Sequence, residues 1–174
     1  MNRRSSIKSL VVATGGLISL PAWMTSCGLS DTSTHASTFS ERQQQTLAAL
    51  VDAIIPAGKE GVGALKVGVD KYLQKLIDDC FEADAKANIK KQLVALEESA
   101  MKTHRKQFSE CDPLQRRAML LNMANNPDKN VKDFYSTMRT ESIRGFSTSQ
   151  QVLQGYHGYQ VAPGHYYGCV DLKA

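Results

Sequence analysis

From Phe39 onward, apolar residues recur at steps of three and four between helix start and stop signals, and that periodicity excludes most folds. Ser40 followed by Gln43 forms a capping box, in which hydroxyl and amide satisfy two orphan backbone N–H groups. Leu47, Leu50, Val51, Ile54 and Ile55 then share one face until Pro56 stops the helix and Pro56–Gly61 turns. Val69, Tyr72, Leu73, Leu76, Ile77 and Cys80 make the stripe of a second helix. A third, highly charged helix runs from about Asp84 to Phe108, with Ile89, Leu93, Leu96 and Ala100 as its apolar seam. Asp112 as cap and Pro113 at the first helical position open a fourth, expected to bury Leu114, Ala118, Met119 and Leu121 before Asn125-Asn126-Pro127. A fifth covers roughly Lys129 to Arg144, with Val131, Phe134, Tyr135 and Met138 inward, and Thr148–Leu153 forms a last short turn. There is no sustained strand-like alternation and no internal repeat. The expected fold is mainly α, a small irregular helical bundle over residues 39–174.

The segment from Gly155 to Ala174 breaks this pattern. Four of the six tyrosines and four of the twelve glycines lie in it. It has too little aliphatic content for a helix with a buried face, yet it is too aromatic for a solvated tail. An extended Gly/Tyr-rich tail is expected. Tyrosine is enriched where one protein buries surface against another. Docking on a partner and wrapping of its own bundle are both open.

The formal charge of +4 comes mostly from the N-terminus. Without Arg3, Arg4 and Lys8, 18 of the 21 basic residues face 17 acidic ones, which is no nucleic-acid footprint. Residues 1–27 read instead as an export signal: a basic head, then a weakly apolar run from Ser9 to Met24 holding Gly15, Gly16 and Pro21. Such a run is a poor membrane span. Arg3-Arg4 with Ile7 and Lys8 resembles the twin-arginine signal, with Ser6 where that pattern prefers phenylalanine. Met24-Thr25-Ser26-Cys27 resembles a lipobox, with Cys27 as the lipidated residue; cleavage near Thr34-His35-Ala36 is the competing reading. The Ser/Thr-rich residues 28–38 suit a flexible tether.

Catalytic motifs are scarce. Gly61-Val62-Gly63 starts like a dinucleotide loop, but Lys66 stands where the third glycine belongs and no strand precedes it. Phosphate-cradling, nucleophile-elbow and haem-attachment motifs are lacking. No catalytic or cofactor-binding residue is assigned. Asp78-Asp79 and Glu97-Glu98 point about 100° apart on a helix and read as solvated surface. His104 reads as solvent-facing. The best metal set is His157, His165 and Cys169, at a spacing outside the tight ligand patterns. With Cys27 lipidated or removed, Cys80, Cys111 and Cys169 leave an odd count in an oxidising compartment. Cys80 reads as buried or bridged to Cys111 or Cys169, and Cys169 as the most reachable for another chain.

Phe39-Ser40-Glu41 with Thr46-Leu47-Ala48-Ala49-Leu50-Val51-Asp52-Ala53-Ile54-Ile55-Pro56 resembles the opening of the gluconate 2-dehydrogenase subunit 3 family. Gly61-Val62-Gly63-Ala64 with Val69, then Asp79-Cys80, is similar too. So are Phe134-Tyr135, Met138-Arg139-Thr140, Gly145-Phe146 and Pro163-Gly164-His165-Tyr166-Tyr167-Gly168-Cys169-Val170. The resemblance implies an accessory (gamma) subunit with no flavin or haem of its own. Its expected partner is a large flavoprotein of the glucose–methanol–choline type that holds FAD, oxidises a sugar or sugar-acid hydroxyl, and often passes electrons to a cytochrome c subunit. It also implies that the twin-arginine signal escorts this partner to the periplasmic side of the membrane. Asp52 falls in the matched opening and is read as a capping or partner-contact residue. The docking set in this reading is Tyr156, Tyr159, Pro163, Tyr166, Tyr167 and Cys169, with Cys169 as an intersubunit disulfide candidate. The rival readings are a free-standing exported lipoprotein that binds a metal or small ligand through His157, His165 and Cys169, and an enzyme in its own right.

Overall fold

The capping box expected at Ser40 is present: Gln43 N–H donates to Ser40 Oγ at 3.3 Å and Ser40 N–H to Gln43 Oε1 at 3.0 Å. It opens α1 (Glu41–Ile54) in a computed structural model that describes residues 37–58, 61–162, 164 and 169. Arg3, Arg4, Lys8, Cys27, His35, Pro163, His165, Tyr166 and Tyr167 lie outside the described residues. Five further α-helices follow among those residues: α2 (Val69–Cys80), α3 (Ala83–His104), α4 (Pro113–Ala124), α5 (Lys129–Ser147) and α6 (Gln150–His157). A 3₁₀ turn (Phe108–Glu110) lies between α3 and α4, and no strand occurs among the described residues.

Helix α1 is the hub, packing against α2, α3, the 3₁₀ turn, α4 and α5. Its Leu47, Leu50 and Val51 are fully buried among Leu73 and Ile77 of α2, Leu93, Leu96 and Ala100 of α3, and Phe134 and Met138 of α5. Each large aliphatic side chain so buried contributes roughly 1.5–3 kcal/mol. Just before α1, Thr38 bonds through both its amide and its hydroxyl to the Asp78 carboxylate, and Lys90 Nζ donates to Thr38 O at 3.0 Å. The same Lys90 ammonium lies 5.3 Å from the Phe39 ring centre.

Several expected boundaries move, each for a local reason. Helix α3 ends at His104, because Arg105 takes a left-handed conformation (φ 55°) while its N–H bonds to Met101 O. Phe108 then starts the 3₁₀ turn and is fully buried. The short turn expected at Thr148–Leu153 is helix α6, which continues through Gly155, Tyr156 and His157 until Gly158 (φ 60°) closes it. The first residues of the expected tail are thus helical, held by one buried residue, Val152. Cys80 is exposed, so the apolar stripe of α2 stops at Ile77.

The largest departure is the face of α4. Met119 and Leu120 point inward, whereas Leu114 is 80 % exposed, Leu121 is 49 % exposed and Ala118 is exposed. Positions 116, 119, 120 and 123 have the same helical spacing as 114, 118 and 121. Arg116 decides between them, because its guanidinium lies against α1 and turns α4 onto that face.

Candidate functional site

Asp52, in the motif that opens the bundle, pairs within its own chain. Arg116 Nη1 donates to Asp52 Oδ2 at 3.0 Å and to Ala49 O at 3.4 Å, and Nε donates to Cys111 O at 2.9 Å. The side chains are only 15 % (Arg116) and 35 % (Asp52) exposed, so the pair is part-shielded and joins α1, α4 and the segment before α4. It serves as a structural clamp.

Glu97, expected on solvated surface from its place beside Glu98, is only 8 % exposed. Its Oε2 accepts from Thr46 Oγ1 of α1 and from the Phe108 backbone N–H, both at 3.2 Å. The signal was present in the sequence: position 97 lies in phase with Ile89, Leu93 and Ala100 on the seam of α3. Glu97 also lines a groove of about 450 Å³ between α1 and α3, with Leu93, Val94, Met101 and Arg42 among the other lining residues. Glu98 remains on the outside, 3.9 Å from Lys102. Asp78 accepts from both the amide and the hydroxyl of Thr38, so it too has structural work.

A second groove of about 380 Å³ runs between α3 and α4, where His104 is half-buried beside Met119 and Met123. Ala118 of the outward face of α4 also lines this groove.

The cysteines separate by environment. Cys80, Cys111 and Cys169 are all free. Cys111 is buried; its thiol donates to Gln107 O at 3.4 Å, and burial pushes its pKa up against the pull of Lys106 and Arg116. Cys80 and Cys169 are exposed. His157 sits exposed at the last position of α6, and no cluster of three metal-ligating side chains forms among the described residues.

Tyr156 and Tyr159 are both exposed. The Tyr156 hydroxyl accepts from the Val62 N–H at 3.4 Å, which ties α6 to the Gly61–Gly63 loop. That loop joins two helices. At Gly63 a Cβ would come within 2.7 Å of Ala57 N, so the glycine serves a tight return of the chain on itself. No described helix is long and apolar enough to cross a membrane.

The family model for gluconate 2-dehydrogenase subunit 3 matches residues 41–164, from the first residue of α1 to beyond the end of α6. The chain belongs to the gluconate 2-dehydrogenase subunit 3 family. No curated protein and no solved structure is significantly similar to it. The match covers the hub helix, the Asp52–Arg116 clamp, the Glu97 groove and the outward face of α4. Membership in the gluconate 2-dehydrogenase subunit 3 family implies association with the other subunits of that dehydrogenase.

Proposed function

We propose that this chain is the non-catalytic small subunit of an exported flavin-dependent sugar or gluconate dehydrogenase. Its large partner is a flavoprotein of the glucose–methanol–choline type that carries the FAD and the oxidation chemistry, with a cytochrome c subunit as onward electron carrier. The small subunit escorts that partner through the twin-arginine route, using Arg3, Arg4 and Lys8, and then stabilises it on the periplasmic side. Cys27 is the lipid-anchor candidate.

The observation that carries this reading is the outward face of α4. Leu114, Ala118 and Leu121 fall on one side of the helix and are left in water. Contiguous exposed apolar surface marks sites where another molecule docks. Tyr156, Tyr159 and Val161, also exposed, supply a second set of anchors near the C-terminal end. Pro163, Tyr166, Tyr167 and Cys169 extend that set by the family resemblance.

Co-expression with a flavoprotein of the glucose–methanol–choline type from the same genome tests the reading. The two are expected to co-purify, and the flavoprotein to stay in the cytoplasm when the small subunit is deleted. Leu114→Lys with Leu121→Lys should break co-purification while the small subunit still folds. Separate elution of the wild-type proteins, with normal export of the flavoprotein alone, overturns the proposal.

A further inference from the structure

We propose that α6 is a releasable strap: it opens as a unit, about a hinge at Thr148–Ser149, from a bundle that stays folded, and its closed form is fastened by Tyr156 on the Val62 amide. The inference does not depend on the accessory-subunit reading.

The hinge serves α5 and leaves α6 uncapped. Thr148 N–H and Oγ1 donate to Arg144 O at 3.0 and 2.8 Å, and Ser149 N–H and Oγ donate to Phe146 O at 3.1 and 2.7 Å. These bonds finish α5 with residues that precede α6, so α5 keeps them whether or not α6 is formed. Ser149 is also the N-cap of α6, yet its hydroxyl is turned to α5 and makes no side-chain cap bond to the helix it opens. A serine at that position ordinarily stabilises the first turn.

Little else holds α6. Six of its eight residues are exposed, and Val152 is its one buried side chain. Every other buried apolar residue described belongs to the hydrophobic core, and Val152 does not. Gly155 lies inside the helix and weakens it, and eight residues are too few for a helix to persist alone in water. Among the described residues, the one side-chain hydrogen bond from α6 to the rest of the bundle is at Tyr156 Oη, which accepts from Val62 N–H at 3.4 Å. Elements with few buried contacts and exposed hydrogen bonds open locally, at far lower free energy than the core. Opening α6 frees Tyr156 and uncovers the Val62 amide in the loop between α1 and α2, while the core loses no residue.

Amide hydrogen exchange of the full chain, followed residue by residue by NMR, tests this. The α6 amides from Leu153 to Tyr159 are expected to be at least about 100-fold less protected than those of Leu47, Leu50 and Val51 in α1. Gly155→Ala, where an added Cβ meets nothing within 4 Å, should slow α6 exchange about fourfold. Tyr156→Phe should speed it about threefold and Val152→Ala about tenfold, with α1 unchanged by each substitution. Equal protection of α6 and α1 overturns the proposal. So does a Val152→Ala chain in which exchange of both helices rises together, or α6 exchange that none of these substitutions moves.

Discussion

Arg116 joins α4 to α1 through the Asp52 carboxylate and the Ala49 carbonyl, and to the preceding segment through the Cys111 carbonyl. Removing it leaves three acceptors in a part-shielded place, and charge-assisted hydrogen bonds of this kind are worth about 1.5–3 kcal/mol. Arg116→Ala should lower the unfolding free energy by about 2–3 kcal/mol in urea titrations, and Asp52→Asn by about 1 kcal/mol. Cys111 gives a second expectation at this scale. Burial raises its pKa, so the folded thiol stays protonated where an unfolded one ionises. Stability on this account is full below the ordinary thiol pKa of about 8.5 and declines as the pH rises above it, because the unfolded state then releases the proton more readily. Iodoacetamide at pH 8 should modify Cys80 and Cys169 quickly and Cys111 only on unfolding, as read by mass spectrometry.

At the scale of elements, α2 and α5 approach closely because Gly145 has no side chain. A Cβ there would lie 2.6 Å from Tyr72 Cδ1. Gly145→Ala should therefore destabilise by about 1–3 kcal/mol, despite the better helix propensity of alanine. The double variant with Tyr72→Leu should lose less than the sum of the two single changes in urea unfolding. Most helices were legible from caps and periodicity: Ser40 with Gln43, Pro113 behind Asp112, and the seam Ile89–Leu93–Leu96–Ala100 are all as expected. What was not legible was how α4 is rolled. Two stripes of equal spacing compete there, and the winner is set by an arginine that hydropathy counts as polar. The end of α3 was hidden for a similar reason, since Arg105 adopts a backbone region usually taken by glycine.

On the scale of the whole molecule, the core needs nothing from the outward stripe of α4. Leu114→Lys with Leu121→Lys should leave the unfolding free energy of the isolated chain, read in urea titrations, within about 0.5 kcal/mol of the wild type, as is usual for surface changes. The candidate sites were less legible than the helices. Glu97 stood beside Glu98 in the sequence, and only its phase with the seam separated a buried brace from a solvated neighbour. Asp52 fell in a recognisable motif, but its partner is 64 positions away, beyond any local pattern.

The hub helix α1 is also the first of the six to leave the ribosome, while α5, which closes over it, ends only at Ser147. At about 5–20 residues per second, the interval between them is on the order of ten seconds. Throughout that time Leu47, Leu50 and Val51 have no finished pocket to enter. The nascent chain thus passes through a period in which the surface that will become its core is already made but uncovered, and a holding factor that binds short aliphatic helices would protect it until translation reaches the fifth helix.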